Sequence, residues 1–205
     1  AGELAKDLFG RVDITKYANG AETLENFIVQ PHGGITRRPG TRFVKEVKTS
    51  SAKTRLVPFE FSTTQAYCIE FGNLYVRFYK DNGAILEANK TISGATQANP
   101  CVVTATSHGF SNGDEIYIAS VVGMTELNGK YYKVKNKTTN TVELTDIDDT
   151  NINSTGFTAY SSAGTAARVY TVTTTYATAD LFDIQFAQSA DVLYLTHSSY
   201  APRKL

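Results

Sequence analysis

Hydrophobic and polar residues alternate along most of this chain, in short runs separated by glycine and asparagine. A period of two places successive side chains on opposite faces of an extended strand, so each run predicts a strand with one buried face. The runs are "TRFVKEV", "RLVPFEF", "AYCIEFGNLYVRFY", "CVVTAT", "DEIYIAS", "KYYKVKN", "TVELTD" and "ARVYTV". The sequence therefore predicts an all-β fold with a partial propeller-like or β-sandwich base.

A change of composition predicts a second module inside the first. From about Lys90 the chain becomes rich in Thr, Ser, Asn, Gly and Val, and short strands recur at close spacing. This rhythm is typical of a small β-barrel. We therefore predict three segments: 1–90 with a helical arm and the first propeller-like strands, 91–170 as an inserted small β-barrel, and 171–205 as return strands that pair with the first segment. Within the first segment, Gly72-Asn73 and Asn82-Gly83 predict tight hairpin turns.

The segment "VDITKYANGAETLENFIVQ" is the good helix candidate, and it predicts a short N-terminal helical arm. Apolar residues between Ile14 and Ile28 recur at spacings of three and four, with Asp13 as the N-cap. Asn19-Gly20 interrupts this pattern, which leaves two short turns as an alternative to one continuous helix. Pro31 ends the segment, because it has no N–H to donate within a helix.

A weak internal repeat suggests propeller blades. The stretch Phe59–Tyr75 can be laid without a gap over Ile184–Tyr200, which matches Ile69 with Tyr194. Both copies have the order strand, turn, strand, and repeated sheet units of this kind occur in propellers. A chance similarity between two amphipathic hairpins is the alternative.

The stretch "QPHGGITRRPGTRFV" concentrates glycine, proline and arginine before the first long strands. Gly33, Gly34 and Gly40 can take φ values that other residues avoid, and Pro39 biases the preceding residue toward an extended backbone. We interpret Gly33, Gly34, Pro39 and Gly40 as a backbone joint at which the helical arm meets the first strands.

A basic run begins in the same stretch. Between Arg37 and Arg55 there are seven cations and one acid, Glu46. The run fits a solvated edge strand with protective lysines, or a contact to DNA phosphates or to an acidic neighbouring subunit. For the contact we select Arg37, Arg38 and Arg42. A DNA contact would be nonspecific, since the sequence shows no recognition helix.

Motifs for catalysis are missing from the sequence. No serine lies in a G-x-S-x-G elbow, and no phosphate-binding G-x-x-x-x-G-K-[ST] is present. His32, His108 and His197 have no His, Cys or Asp at metal-ligand spacing, which indicates turn or cap residues. Cys68 and Cys101 lie in apolar runs, which indicates buried thiols. We predict no catalytic residue, metal or cofactor, and no enzymatic activity.

The N-terminal part resembles a known family. Residues Gly10 to Val44 resemble the N-terminus of tail proteins from short-tailed bacteriophages and related prophages, with a Gly-Arg-Asp lead, a KY-x-x-G turn, an L-x-N-F helix and a GG-x-x-x-RPGT-x-F joint. The matching positions are Gly10, Arg11, Asp13, Lys16, Tyr17, Gly20, Leu24, Asn26, Phe27, Gly33, Gly34, Arg38, Pro39, Gly40, Thr41 and Phe43. The stretch "LFDIQFAQSADVLYLTHSSYAPRKL" resembles a later strand pair of the tail nozzle, or tail tubular protein B, family.

This resemblance implies a virion structural protein. Nozzle proteins are β-rich, with propeller-like platform folds, and form a hexameric ring below the portal and adaptor through which DNA leaves the capsid. The implied partners are further copies of the chain, other tail or adaptor proteins and passing DNA, and the implied location is the virion tail after synthesis in the bacterial cytoplasm. The formal net charge of zero does not demand a strongly charged partner. No apolar run approaches the roughly 18 residues of a membrane span.

The inserted stretch has a resemblance of its own. Residues Ala95 to Thr145 resemble the small β-domain described as the first catalytic-cysteine half-domain of ubiquitin-activating enzymes. The shared features are "HGFSNGD", Gly123-Met124 followed by "ELNG", a Y-x-V strand and a T-x-x-T-x-x-L return. This module recurs in phage structural proteins, and no adenylation signature accompanies it here. The resemblance therefore implies a fold more than an activity.

Two other functions stay open. The insert could be a tail-exterior binding module for a host-surface glycan, with Tyr131, Tyr132 and Tyr160 as stacking platforms or, alternatively, as core residues. The other open function is a tail-associated hydrolase. No nucleophile, metal cluster or close carboxylate pair in the sequence supports it. Because the sequence begins with Ala and stops just after a strand-like segment, we expect it to be a piece of a longer polypeptide.

Overall fold

Strands make up most of the regular structure in a computed structural model that describes residues 2–62 and 65–205. Strand accounts for 41% and helix for 4%, which confirms the predicted all-β fold. The helical residues among those described belong to three single-turn 3-10 helices, Lys6–Leu8, Tyr17–Asn19 and Thr125–Leu127. The chain divides into two compact units, an N-terminal unit that ends at Phe43 and a second unit, Val44–Leu205.

Four sheets contain the strands of the described residues. The N-terminal hairpin consists of β1 (Phe27–Val29) and β2 (Ile35–Arg37). The base sheet contains β3 (Arg55–Ser62), β4 (Gln65–Gly72), β5 (Tyr75–Lys80), β6 (Gly83–Ala84) and β14 (Thr171–Thr173). The half-barrel sheet contains β7 (Lys90–Thr91), β8 (Gly94–Ala95), β9 (Val102–Thr104), β10 (Glu115–Ala119), β11 (Lys130–Lys135), β12 (Thr141–Thr145) and β13 (Thr165–Arg168). The C-terminal sheet contains β15 (Gln185–Ser189), β16 (Val192–His197) and β17 (Tyr200–Lys204).

The N-terminal unit has no continuous helix. Of the two alternatives left by the sequence, short turns are present, because Tyr17–Asn19 is one 3-10 turn and Gly20 after it is extended. Phe27 and Ile28, which complete the helical spacing, lie instead in β1. Asn26 takes a φ of 64° just before this strand, a left-handed conformation that excludes a regular helix there. The prediction of a continuous helix is therefore wrong, and the arm is two 3-10 turns and a hairpin.

The base sheet has two tight turns, each displaced by one residue from its predicted place. β4 and β5 pair in antiparallel register as far as Gly72 and Tyr75, with Leu74 at a φ of 63° in the connection. Asp81 and Asn82 have φ values of 51° and 63°, the pair of positive angles that a type I′ turn requires. This turn type joins β5 to β6 and matches the right-handed twist of strands.

The seven-stranded sheet curls into a half-barrel, in the order β7-β13-β10-β11-β12-β9-β8. Its two edge strands, β7 and β8, are separated in sequence by Ile92 and Ser93, so the chain itself holds the edges near each other. Its buried residues form a hydrophobic core of Ile92, Cys101, Val103, Phe110, Ile116, Ile118, Val121, Met124, Leu127, Tyr132, Val134, Val142, Leu144 and Ala166. Each large apolar side chain buried in this way contributes about 1.5–3 kcal/mol. The sheet therefore has a core of its own.

The base and C-terminal sheets share a second core. It joins Val57, Ile69, Phe71, Val76, Tyr176, Leu181, Ile184, Leu193 and Leu195. β14 pairs with β5, so the chain returns to the base sheet after the half-barrel. The segment boundaries at 90 and 170 stay a prediction.

The internal repeat does not keep its phase in the structure. Ile69 is 2% exposed, whereas Tyr194, its partner in the gap-free alignment, is 49% exposed and Leu193 beside it is buried. A shift of one residue turns every side chain of a strand to the opposite face. The alignment is therefore wrong for the packing, and chance similarity is the better explanation.

The run "TRFVKEV" is not a strand, which corrects another prediction. No strand is assigned to residues 38–54, all of which the structure describes. Its alternating pattern has no neighbouring strand to complete it, since β3 pairs with β4 at the edge of the base sheet. Among the described residues, no helix is long and apolar enough to cross a lipid bilayer.

Candidate functional site

The glycine pair of the predicted joint lies at the tip of the N-terminal hairpin. Gly33 and Gly34 have φ values of 92° and 84°, in the region that favours glycine, as the sequence suggested. The backbone N–H of Gln30 donates to the Gly34 carbonyl at 3.1 Å, which closes the loop between β1 and β2. Gly40 is not among the glycines with positive φ, so it does not use that freedom. The glycine pair therefore turns a hairpin instead of linking a helix to a sheet, and Pro39 and Gly40 follow in a segment without regular secondary structure.

The three selected arginines are exposed. Arg37 ends β2 opposite Phe27. Arg38 is fixed to Asn26, because its backbone N–H donates to the Asn26 carbonyl at 2.8 Å and its Nε donates to Asn26 Oδ1 at 3.1 Å. Arg42 lies after the hairpin, in a segment without regular secondary structure. Their positions leave them accessible, and the contact to a subunit or to DNA stays a prediction.

Other cations of the basic run point into the protein. Arg55 Nη1 donates to three backbone carbonyls, those of Leu181 at 3.0 Å, Phe182 at 3.2 Å and Ile184 at 2.7 Å. Lys45 has a side chain only 3% exposed and forms an ion pair with Glu115. The interpretation of the run as one solvated edge strand or one contact surface is therefore wrong, because part of it is internal.

A buried charge cluster lies between the base sheet and the half-barrel sheet. It consists of Lys45, Glu70, Arg77 and Glu115 together with Tyr75 and Tyr79. Arg77 Nη1 donates to Glu115 Oε1 at 3.0 Å, and Lys45 pairs with the other oxygen of the same carboxylate. Glu70 accepts from the hydroxyls of Tyr75 and Tyr79, one on each oxygen. The two carboxylates are therefore each held by two donors.

The cluster balances its own charges. Two cations and two carboxylates lie together, and Arg77, Glu70 and Glu115 are each at most 4% exposed. Burial, followed by the hydrogen bond to Glu70, raises the pKa of both tyrosines well above the ordinary value, so each hydroxyl keeps its proton and donates. Burial lowers the pKa of Lys45, and the Glu115 carboxylate opposes that effect. Such an arrangement fixes two sheets to each other and has no free base.

A second charged clamp, at a more accessible position, ties the connection between β6 and β7 to the half-barrel sheet. Arg168 donates through Nε and Nη2 to the two oxygens of Glu87, at 2.9 and 2.7 Å. Its Nη1 donates to Asp114 Oδ2 at 3.0 Å. The planar guanidinium suits this two-point geometry, which lysine could not reproduce. The clamp therefore positions the connection before β7 against the loop before β10.

Five of the seven strands of the half-barrel sheet, β9 to β13, lie in a stretch that matches a known family. Residues 98–170 match the family model of the ubiquitin-activating enzyme E1 FCCH domain. The predicted similarity of the inserted stretch to the first catalytic-cysteine half-domain is thus confirmed. We call residues 98–170 the FCCH-like module. The match covers roughly a third of the chain, and no curated protein matches the chain.

The signature "HGFSNGD" of the FCCH-like module is a structural turn. His108 is 2% exposed, and its Nδ1 accepts a hydrogen bond from the Phe110 N–H at 2.9 Å while the two rings stack at 4.9 Å. Asp114 Oδ2 accepts from the Ser111 N–H at 2.7 Å. Cys101 is fully buried in the core, and burial raises the pKa of its thiol. The residue is therefore a protonated core side chain, as its sequence context indicates.

The tyrosines considered for glycan stacking have structural partners. Tyr132 is 4% exposed and its hydroxyl donates to the Leu127 carbonyl at 3.3 Å. The Tyr160 hydroxyl lies 2.9 Å from the Ala163 carbonyl. Tyr131 accepts from the Ala84 N–H at 3.4 Å and lies beneath Lys45, whose Nζ is 5.0 Å from the ring centre. Their faces are used within the protein, which favours the interpretation as packing residues.

The base sheet also borders an open cleft of about 500 Å³. Its lining is mostly apolar and includes Val44, Val47, Leu56, Ala66 and Tyr67. Glu70 and Tyr79 of the buried charge cluster form part of its wall, but their polar atoms already bond to each other. Burial raises the pKa of the Cys68 thiol, which also lines the cleft. The cleft therefore offers apolar contact without a reactive group.

Sequence reasoning missed the buried charge cluster. Glu70 and Arg77 face each other across the β4–β5 hairpin, and opposite charges at paired positions of a predicted hairpin were a usable signal. Glu115 gave no such signal, because it comes from the FCCH-like module and meets Arg77 through the tertiary structure alone. Among the described residues, no group of three or more His, Cys, Asp and Glu is placed to hold a metal ion.

Proposed function

We propose that this chain is a structural subunit of a bacteriophage or prophage tail, of the tail nozzle (tail tubular protein B-like) kind. Its role is to assemble with further copies, and with other tail or adaptor proteins, into a ring through which DNA is ejected. In this role the chain is held by its neighbours and catalyses no reaction. It would be made in the bacterial cytoplasm and act in the virion.

One observation carries the proposal. None of the described residues from 2 to 43 is buried, and this is the stretch whose motifs resemble phage tail proteins. Seven of its large apolar side chains are 42–81% exposed: Phe9, Val12, Phe27, Ile28, Val29, Ile35 and Phe43. Exposed apolar groups at this density mark a surface that a partner covers. An assembly subunit explains such a segment better than a free monomer does.

The second unit supports a structural role in another way. Its buried carboxylates, Glu70 and Glu115, are both held by donors of the same cluster. The clamp of Arg168 on Glu87 and Asp114 holds the connection between β6 and β7 against the half-barrel sheet. These contacts are typical of a rigid body that transmits load. They fit less well with a site that must bind and release a substrate. The FCCH-like module would then be a decoration fixed firmly to the base.

The location of the chain in particles tests the proposal. Antibodies against the FCCH-like module are applied to purified particles, with an antibody against the capsid protein as positive control. We expect label at one end of the tail, and a copy number of about six per particle, which is the hexamer that the resemblance to nozzle proteins implies, in a closed ring. Particles that lack the chain, although the infected or induced cells contain it, would refute a virion role.

A further inference from the structure

One face of the N-terminal hairpin is apolar and uncovered. The β1–β2 register places Phe27 opposite Arg37 and Val29 opposite Ile35, and these four side chains share a face because alternate residues do. Phe27, Val29 and Ile35 are 48%, 42% and 49% exposed. A two-stranded hairpin is marginally stable by itself in water, so this face gains most from a covering partner.

The cleft of the base sheet has complementary properties. Leu56, in its lining, is 61% exposed, and the neighbouring Val44, Val47 and Ala66 extend the apolar surface. At the cleft lies Asp81, whose side chain is 84% exposed and whose nearest cation, Lys80, is 3.9 Å away. At such exposure this pair is weak, which leaves Asp81 able to meet another cation.

We propose that the apolar face of the N-terminal hairpin of one copy docks into the base-sheet cleft of a second copy, with Arg37 beside Asp81. The proposal rests on the proposed function and names the surfaces through which the subunits meet. A hydrophobic face that fits a cleft elsewhere on an identical molecule makes a head-to-tail contact, and such contacts generate rings when the rotation closes.

Charge favours a second copy as the occupant. Arg37 borders the apolar face of the hairpin and Asp81 borders the apolar cleft, so the cation and the acid are complementary. The formal net charge of the chain is zero, so identical copies do not repel each other at long range. The two surfaces also occur in equal numbers, because every copy carries one of each.

Self-association of the full chain is the first test. Sedimentation velocity over a concentration series gives an apparent dissociation constant for the wild type, for Val29→Asp in the hairpin and for Leu56→Asp in the cleft. We expect each substitution to weaken association at least about tenfold, since it places a charge in an apolar contact. Val12→Asp is the matched control, because Val12 is 81% exposed and lies outside the hairpin. Circular dichroism verifies that each variant is folded.

A charge exchange gives the sharper test. Arg37→Glu and Asp81→Arg should each weaken association about tenfold. An equimolar mixture of the two single variants should restore it, because the altered hairpin of one then meets the altered cleft of the other. A chain that stays monomeric at every concentration, variants that associate like the wild type, or a mixture that does not recover would each overturn the contact. Antibody labelling of particles tests the proposed function separately, so the subunit contact and the proposed function can be refuted independently of each other.

Discussion

The N-terminal unit and the FCCH-like module place their apolar residues in opposite ways. The module encloses a core that includes Ile116, Ile118 and Leu144, each fully buried, whereas none of the described residues from 2 to 43 is buried. Both are rich in turns and short strands, so secondary structure does not account for the difference. The comparison shows that one chain can combine a module with a buried core and a segment in which no described residue is buried.

Their glycines differ in the same sense. Gly164 and Gly123 of the module have positive φ, and a Cβ at either position would collide with neighbouring atoms, of Val121 and of the Ala159 backbone respectively. Gly33 and Gly34 also have positive φ, but a Cβ there would meet nothing within 4 Å. In the module, packing and turn geometry both require glycine. In the hairpin, turn geometry alone does.

The largest effect is expected where the module joins the base. Glu115→Gln removes the carboxylate that pairs with Lys45 and Arg77, and leaving buried cations without a counter-charge costs about 3–5 kcal/mol. Urea unfolding of the full chain measures this loss. Glu143→Gln is the matched control, since Glu143 is a partly exposed carboxylate that accepts from Asn136, and we expect a change within about 0.5 kcal/mol. A loss below about 1 kcal/mol for Glu115→Gln would show that the cluster does not hold the two sheets together.

A pair of leucine and isoleucine truncations compares the two regions directly. Leu144→Ala opens a cavity in the module core and should lower the free energy of unfolding by about 2–5 kcal/mol. Ile28→Ala in the N-terminal hairpin, where the side chain is 47% exposed, should change it by less than about 0.5 kcal/mol in the isolated chain. Thermal or urea unfolding gives both values. Equal losses would mean that the N-terminal unit has a core as well, and the contrast would fail.

Alkaline pH should weaken the cluster. The pKa of Tyr75 and of Tyr79 is raised in the folded state, so these groups stabilise the fold below their unfolded pKa of about 10, and this stability is lost as the pH rises above it. The lowered pKa of Lys45 has the opposite effect on stability, because it makes stability increase with pH, mainly below pH 10.5. Tyr79→Phe should reduce the slope of stability against pH by up to about 1.4 kcal/mol per pH unit. Exposed Tyr194→Phe serves as the control, and equal slopes in both variants would contradict the assignment.

The smallest effect concerns the hairpin turn. Gly33→Ala forces a side chain into a left-handed backbone, at a cost of about 1–2 kcal/mol. Gly40→Ala, where φ is not positive, should stay within about 0.5 kcal/mol of the wild type. Hydrogen exchange of the Gln30 amide, which bonds to the Gly34 carbonyl, reports the local opening. Similar exchange rates for the two variants would show that the turn does not depend on the glycine.

Much of the strand pattern followed from local sequence. Alternation predicted β3, β4, β5 and the half-barrel strands β9 to β13, because a half-buried strand imposes that period on its side chains. The same rule failed for "TRFVKEV". An alternating pattern indicates that a segment can form a strand, but a strand also needs a neighbouring strand to pair with, and among the described residues this segment has none. It failed for the helix candidate as well, since positive φ at Asn26 and the pairing of β1 with β2 overrode a spacing of three and four.

The sequence by itself determined the all-β class, the tight turns at Asn73 and Asn82, and the buried state of Cys101, because periodicity, turn chemistry and local apolar context act over a few residues. Tertiary structure alone decided which charged side chains are exposed and which are buried in ion pairs. Arg37 and Lys45 belong to the same basic run, yet one is exposed and the other pairs with a carboxylate seventy residues away. Solvation and pairing depend on which surfaces pack together, and that information is spread over the whole chain.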